Sequence, residues 1–177
     1  MSSFSNEYIA IATPGDITDI RLLLNSAYRG DESKKGWTTE ANLIQGEVRT
    51  DEANLLQVMK QPGSIFLKYT DKEQKIIGCV NLQQHDNRMY LGMFSVSPGL
   101  QGGGIGKKIL QAAEEYAIQL HCTVIYMSVI AVREELTNWY KRHGYYDTGK
   151  RLPFVEDGLS GRHLQQLEFM VMEKSLG

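Results

Sequence analysis

The first third of the chain combines one strand pattern with several helical patterns of apolar residues. Apolar side chains spaced three and four apart predict a helix that Asp16 caps and Gly30 ends. A short strand precedes it, and two short helices follow a polar loop at 31–36. The predicted elements are a strand at 7–13 and helices at 16–28, 40–48 and 51–60, the last capped by Thr50.

The middle of the chain predicts an antiparallel meander, because three apolar runs of strand length are joined by short polar turns. These strands are predicted at 64–69, 75–84 and 89–97. A helical period then covers 104–121, and an apolar strand covers 123–130. A helix that crosses over between two strands places them side by side and parallel, so we expect this of the strands on either side of the helix.

The last part of the chain predicts one more helix at 133–143 and two strands at 145–150 and 166–174. No repeat, low-complexity tract or linker interrupts the order of elements, so we expect a single domain over residues 1–177. A chain of this size buries roughly 70 % of its unfolded surface and needs no disulfide or metal to fold.

The composition is that of an ordinary water-soluble protein, with 42% apolar and 23% charged residues. The net charge of −2 argues against a dedicated nucleic-acid binder. No apolar run approaches the roughly 18 residues of a membrane span. The first residues also lack the basic and apolar regions of a secretion signal. We therefore expect a cytoplasmic protein without nucleic-acid or membrane partners.

Cysteine and histidine do not form a reactive or metal-binding pattern. Cys79 and Cys122 lie in apolar segments, which favours two buried thiols over a disulfide or an acyl-enzyme nucleophile. The 4 histidines are far apart and lack ligand spacing. We expect no metal.

A glycine-rich turn between a predicted strand and a predicted helix carries the clearest chemical signal. The run from Gln101 to Gly106 contains four glycines, which allow a sharp turn and leave the backbone amides uncovered. Free N–H groups at a helix start form a phosphate site. The Walker loop needs glycine where Gln101 stands, and the dinucleotide fingerprint needs glycine where Lys107 stands. The run therefore predicts another phosphate-bearing cofactor, with a plain structural turn as the alternative.

The pattern Q-x-x-G-x-G, after a strand and Pro98, resembles the acyl-coenzyme A loop of the GNAT superfamily of N-acetyltransferases. The predicted order of elements resembles that family over nearly the whole chain. The resemblance implies an α/β (α+β) fold: a mixed, mostly antiparallel sheet of about seven strands, a splayed parallel central pair and about four helices. It implies acetyl-coenzyme A as co-substrate and no metal.

The resemblance also assigns residues to acetyl-coenzyme A. The pantetheine arm is expected along the strand before the loop, and the diphosphate on the loop amides. The residues assigned are Phe94, Ser95, Val96, Gln101, Gly102, Gly103, Gly104, Ile105, Gly106 and Lys107. Gln101 is expected to brace the loop through its side-chain amide. Lys107 has the alternative of a solvated helix face.

A second stretch, residues 138–145, resembles the aromatic-Tyr-x-x-x-Gly-aromatic segment of the same family. There the tyrosine lies near the thioester sulfur, which implies Tyr140 as the general acid for the departing thiolate. A phenol with a pKa of about 10 stays protonated at neutral pH. The alternative is that Tyr140 only packs its helix against the sheet. Many members carry Asn where this chain has Arg133, so Arg133 is expected either to contact the cofactor or to lie on the surface.

The acceptor side and the general base are less defined. Trp37 stands in a polar, glycine-bounded loop, where a large indole is unusual. The run Gly-Trp-Thr-Thr-Glu at 36–40 resembles a stretch in one GNAT subgroup, and it suggests Trp37 and Glu40 as acceptor contacts, with Glu40 as a catalytic base. In the alternative, Thr38 or Thr39 caps a helix and Glu40 complements its dipole.

Taken with the resemblance, these patterns predict an N-acetyltransferase that moves an acetyl group from acetyl-coenzyme A to a primary amine of a small molecule by direct attack. One alternative is the same reaction on a protein or peptide amine. Another is an acyl-coenzyme A sensor without catalysis. Pairing of exposed final strands predicts a possible homodimer.

Overall fold

The computed structural model describes residues 4–29, 33–41, 43–45, 49–154, 161–164 and 167–177, and these contain four helices and nine strands. The helices are α1 (Ile17–Tyr28), α2 (Glu52–Met59), α3 (Ile105–Gln119) and α4 (Glu134–Arg142). The strands are β1 (Ile9–Ile11), β2 (Ile44–Gln45), β3 (Ser64–Thr70), β4 (Ile76–His85), β5 (Arg88–Val96), β6 (Val124–Ile130), β7 (Tyr146–Pro153), β8 (Arg162–His163) and β9 (Glu168–Ser175).

Seven of the strands form one mixed sheet in the order β1-β3-β4-β5-β6-β9-β7. Among the described strands of this sheet, β5 and β6 pair parallel and the other pairs are antiparallel. The predicted meander β3-β4-β5 is present. Strand β9 lies between β6 and β7 and pairs antiparallel with both. The predicted fold, a mostly antiparallel sheet of about seven strands with four flanking helices, is confirmed.

The two parallel strands separate after a short paired section. They pair only from Arg88 opposite Val124 to Tyr90 opposite Tyr126. Further along, β5 carries a bulge at which Met93 adopts a positive φ of 49°, and its register with β4 shifts there. We call the gap beyond Tyr90 and Tyr126 the splay. It confirms the predicted splayed parallel pair.

Helices cover both faces of the sheet because successive strand residues point to opposite sides. Phe66 and Leu67, neighbours on β3, are 0% and 1% exposed and belong to different cores. Phe66 packs with α1 and α2, whereas Leu67 packs with α3. No helix among the described residues is long and apolar enough to cross a bilayer.

Two local predictions were wrong. The described part of 40–48 is not helical, because Ile44 and Gln45 pair with His163 and Arg162 as a two-stranded ladder. Ile44 is 1% exposed and packs in a small third core, so a long-range contact overrides the weak helical period. The cap of α2 is not Thr50 but Asp51, whose carboxylate accepts from the Asn54 backbone N–H at 2.8 Å. The predicted helix end at Gly30 and residues 46–48 lie outside the described residues.

Candidate functional site

The glycine loop, residues 101–106, leaves the end of β5 through a 3-10 turn at Pro98–Leu100. Gly102 and Gly104 both have φ near +88°, a backbone conformation that other residues adopt at a cost. Gly104 is the N-cap of α3, and no side chain caps this helix start. A Cβ on Gly102 or Gly104 would meet no atom within 4 Å, so the loop surface is open. The first-turn amides are therefore available to an anion such as phosphate.

A cavity of about 460 Å³ runs from the glycine loop into the splay. The residues that line it are Tyr28, Trp37, Thr38, Phe94, Ser95, Val96, Gln101, Gly102, Gly104, Gly106, Lys107, Glu135, Leu136, Trp139, Tyr140, Arg142 and His143. Most of the residues predicted to bind the cofactor are among them. Gly103 and Ile105 belong to the loop but do not line the cavity, and neither do Glu40 and Arg133.

The Gln101 side chain holds the glycine loop to two other segments. Its amide nitrogen donates to the Val96 carbonyl oxygen at 2.9 Å and to the Thr38 hydroxyl at 2.7 Å. Its amide oxygen accepts from the Thr38 backbone N–H at 3.1 Å. Gln101 thus braces the loop as expected, and it also reaches residues 36–40, which we call the Trp37 segment.

Aromatic rings form one wall of the cavity. Trp139 on α4 lies 5.9 Å from Phe94 edge to face and 6.4 Å from Trp37, measured between ring centroids. A Cβ on Gly106 would lie 3.6 Å from the Trp139 ring and 3.7 Å from that of Phe94. A side chain at this position would therefore fill the space between α3 and the aromatic wall. An apolar channel that ends in bare amides suits an apolar arm carrying a diphosphate.

Tyr140 lies inside the splay on the buried side of α4 and is 5% exposed. Tyr140 lines the cavity, and its hydroxyl has no hydrogen-bond partner among the described residues. Burial raises the pKa of Tyr140, the nearby Tyr28 phenol raises it further, and Arg133 opposes both. The group is therefore a neutral proton donor at physiological pH.

Tyr28 is a cavity residue that the sequence analysis missed. It is the last residue of α1, and its hydroxyl donates to the Phe94 carbonyl oxygen, which fixes the strand just after the bulge. Burial raises the pKa of Tyr28 to about 12, and Glu40 contributes to the rise. Ser95 also lines the cavity. The Ser95 hydroxyl lies near the Tyr28 phenol and lowers its pKa. The Ser95 hydroxyl itself makes no hydrogen bond within the described part of the chain.

Glu40 lies between two arginines and away from the cavity lining. Its carboxylate accepts from Arg29, whose side chain is 2% exposed, and pairs with Arg133 at 3.5 Å. Arg133 also donates to the Thr38 carbonyl oxygen at 2.6 Å. These contacts occupy the carboxylate and direct Arg133 towards the Trp37 segment, so the geometry favours neither Glu40 as a base nor Arg133 as a cofactor contact. Residues 38–41 are not helical, so the alternative in which Thr38 or Thr39 caps a helix is wrong.

A second polar surface lies on the α1 side of the sheet, where the parallel pairing ends. The rings of Tyr90 and Tyr126 are 5.5 Å apart, and burial raises the pKa of both phenols. The positive charge of Arg49 lowers the pKa of Tyr90 and of Tyr28, which places this cation near both hydroxyls. The Arg49 backbone N–H donates to the Asn25 side chain on α1 at 2.5 Å. Arg49 follows the 36–40 stretch in the chain and was an acceptor-side candidate from the sequence, but no local pattern predicted that it meets Tyr90 and Tyr126.

The remaining candidates do not supply chemistry. Cys79 and Cys122 are free and buried, and burial raises the pKa of the Cys79 thiol to about 12 and raises that of Cys122. Such thiols do not form thiolate nucleophiles at neutral pH. Within the described ranges, no group of three His, Cys, Asp or Glu side chains could hold a metal ion.

Comparison with known proteins agrees with this geometry. The acetyltransferase (GNAT) family profile matches residues 19–145, more than half of the chain. An N-acetylaspartate synthetase from Xenopus tropicalis is 29% identical over 133 residues, which are 73% of this chain and 49% of that protein. The chain thus spans about half the length of that curated relative.

Solved structures show the same fold. The ribosomal-protein-S18-alanine N-acetyltransferase from Escherichia coli superposes with a TM-score of 0.72 at 12% identity, covering 96% of this chain and 93% of its own. The smu.2055 protein from Streptococcus mutans UA159 superposes with a TM-score of 0.71 at 16% identity, covering 96% and 99%. The family match, the splayed sheet and the glycine loop lead to one conclusion: the chain belongs to the GNAT family of acetyltransferases.

Proposed function

We propose that this protein transfers an acetyl group from acetyl-coenzyme A to a primary amine of a small molecule, with both substrates bound at once. The observation that carries the proposal is one continuous cavity. It begins at the uncapped start of α3 and reaches Tyr140 inside the splay. The diphosphate of acetyl-coenzyme A can therefore lie at the free amides of α3 while its thioester lies near Tyr140.

The backbone supplies the cofactor contacts in this proposal. Amides of residues 102–106 bind the diphosphate, since the Gln101 N–H already donates to the Pro98 carbonyl oxygen. The exposed Lys107 ammonium adds charge beside them. The pantetheine arm lies along residues 94–96 in the manner of an added strand, because β6 no longer pairs there. The Phe94 carbonyl oxygen already accepts a hydrogen bond from the Tyr28 hydroxyl. Backbone N–H groups of the bulged strand, with the Ser95 hydroxyl, are then the nearest donors for the thioester carbonyl.

The reaction is a direct displacement at the acetyl carbon. The amine nitrogen forms the new C–N bond, the C–S bond breaks, and the proton lost by nitrogen balances the one gained by sulfur. Tyr140 donates a hydrogen bond and a proton to the departing sulfur. The dry surroundings that raise the pKa of the Tyr140 phenol raise that of the leaving thiol as well, so the transfer stays feasible.

The amine enters, in this proposal, from the α1 side of the splay, where Tyr90, Tyr126 and Arg49 lie. Within the described part of the chain, Arg49 has no ion-pair partner. A free guanidinium beside the acceptor entrance suits an amine that also carries a carboxylate. The name of the Xenopus relative, an N-acetylaspartate synthetase, supports an amino-acid acceptor. We assign Glu40 a positioning role and leave deprotonation of the amine to solvent water at the acceptor entrance.

Thiol release from acetyl-coenzyme A tests the proposal. Wild-type protein is assayed with amino acids including aspartate, polyamines, aminoglycosides and short peptides, and acetyl-coenzyme A binding is measured by calorimetry. We expect binding together with turnover of at least one free amine. Turnover of peptides alone would favour a protein acetyltransferase, binding without any turnover would favour a sensor, and absence of binding would overturn the cofactor assignment.

A further inference from the structure

Gln101 uses both amide hydrogens and its amide oxygen in hydrogen bonds inside the protein. Both amide hydrogens are donated, one to the Val96 carbonyl oxygen and one to the Thr38 hydroxyl, and the amide oxygen accepts from the Thr38 N–H. Val96 ends the strand that we assign to the pantetheine arm, and Thr38 lies 63 positions away in the Trp37 segment. One side chain thus joins three parts of the cavity wall.

The Trp37 segment fits closely around this amide. A Cβ on Gly36 would overlap the Gln101 side chain, so the close approach requires glycine there. From the other side, Arg133 binds the Thr38 carbonyl oxygen at 2.6 Å. Between these attachments Trp37 lines the cavity, with its ring 6.4 Å from that of Trp139.

The same residue begins the loop that we expect to hold the diphosphate. A ligand on the loop amides restricts the loop backbone, and with it the direction of the Gln101 side chain. When the Gln101 side chain is already restricted, less conformational entropy is lost as it bonds to Thr38. By thermodynamic linkage, a Thr38 that is held in place strengthens ligand binding at the loop by the same factor. Cofactor binding at the loop and the ordering of the Trp37 segment therefore favour each other.

We propose that Gln101 is a positioning residue that couples the glycine loop to the Trp37 segment, so that acetyl-coenzyme A binding fixes Trp37 over the cavity. The inference rests on the proposed function for the identity of the ligand. It predicts that bound acetyl-coenzyme A raises the affinity of the cavity for the acceptor.

Hydrogen exchange of residues 33–41 tests the coupling without knowledge of the acceptor. With saturating acetyl-coenzyme A, we expect amide exchange there to slow about fivefold in the wild type, at the lower end of typical couplings. Thr38→Val removes the hydroxyl and keeps the shape, and it should reduce the protection, because only the backbone N–H of residue 38 still bonds to Gln101. Thr38→Ser restores the hydroxyl and should restore protection. Gln111→Ala, on the exposed side of α3, is the matched control and should behave as the wild type.

Calorimetry separates failure of this inference from failure of the proposed function. Thr38→Val should weaken acetyl-coenzyme A binding about fivefold. The double variant Gln101→Ala with Thr38→Val should bind no more weakly than Gln101→Ala alone, because both lose the same link. If the wild type gives no binding heat, the proposed function fails. If the wild type binds acetyl-coenzyme A but amide exchange at residues 33–41 does not slow, the coupling is wrong. The coupling is also wrong if exchange slows equally in Thr38→Val and in the wild type.

Discussion

Arg133 donates a hydrogen bond to the carbonyl oxygen of Thr38 at 2.6 Å, across 95 positions of sequence. The bond ties the start of α4 to the Trp37 segment and brings a positive charge to Glu40, which Arg29 binds from the other side. The sequence leaves two roles open for Arg133, a contact to the cofactor or a place on the surface. In the structure its side chain, 8% exposed, instead supports the wall of the cavity.

We predict that Arg133→Gln lowers the free energy of unfolding by about 2 kcal/mol, because it breaks hydrogen bonds to a charged partner in a buried setting. Urea unfolding followed by circular dichroism measures the change. Lys141→Gln, on an exposed position of the same helix, should shift the free energy by less than about 0.5 kcal/mol. Equal, small effects of both substitutions would contradict the supporting role of Arg133.

Tyr140→Phe should lower kcat about 100-fold and leave acetyl-coenzyme A affinity unchanged, because only the proton donor is lost. Steady-state thiol release and calorimetry provide the two readings. The control is Tyr146→Phe, since Tyr146 is 51% exposed and lies outside the cavity lining. A wild-type kcat in Tyr140→Phe would remove Tyr140 from the mechanism.

Gly104→Ala should destabilise the protein by about 1–2 kcal/mol, because Gly104 has a φ of 88° that a side chain disfavours. It should also weaken acetyl-coenzyme A binding by turning the first amides of α3. Gly99→Ala, also exposed and with open space around its Cβ, lacks the positive φ and should be nearly neutral. Thermal unfolding and calorimetry compare the two variants. Similar results for both would contradict the conformational requirement at Gly104.

Arg49→Gln should raise KM for a carboxylate-bearing amine about tenfold, which corresponds to about 1.4 kcal/mol. Acetyl-coenzyme A affinity should not change, because Arg49 is not part of the cofactor cavity. The same variant assayed with an acceptor whose carboxylate is amidated should match the wild type. An equal rise in KM for both acceptors would show that Arg49 does not recognise the carboxylate.

Stability should fall as the pH rises above about 9, because two buried groups ionise more easily in the unfolded chain. Burial raises the pKa of Cys79 from 9.0 and of Tyr28 from 10.0, each to about 12. The unfolded state therefore holds fewer protons between those values, and the stabilisation present below pH 9 is lost towards pH 12. From Cys79 alone, we expect the free energy of unfolding to be about 1 kcal/mol lower at pH 10 than at pH 7.

Urea unfolding at pH 7, 9 and 10 measures this dependence. Cys79→Ala lowers stability at every pH through lost packing, but its decline with pH should be shallower than that of the wild type. The contribution of the Cys79 thiol is given by the difference between the two slopes of unfolding free energy against pH, and not by the absolute free energies. Parallel curves for the two proteins would contradict the buried-thiol explanation.

The local elements were open to prediction, because their signals lie within a few residues of each other. The glycines at 102–106 with the helical period after them indicated an anion site, and the polar turns indicated the meander. The segment at 40–48 was misread, because Ile44 gains its burial from Ile130 and Leu167. Neither partner is visible in a local window.

The sequence by itself determined the family, the order of the elements and the glycine loop that starts α3, since each depends on short-range spacing and backbone freedom. The tertiary structure alone decided which side chains meet at the splay. Gln101 with Thr38, Arg133 with Glu40, and Tyr28 with Phe94 are pairs 63, 93 and 66 positions apart. A contact at that separation depends on how the sheet twists and separates, and no local pattern encodes it.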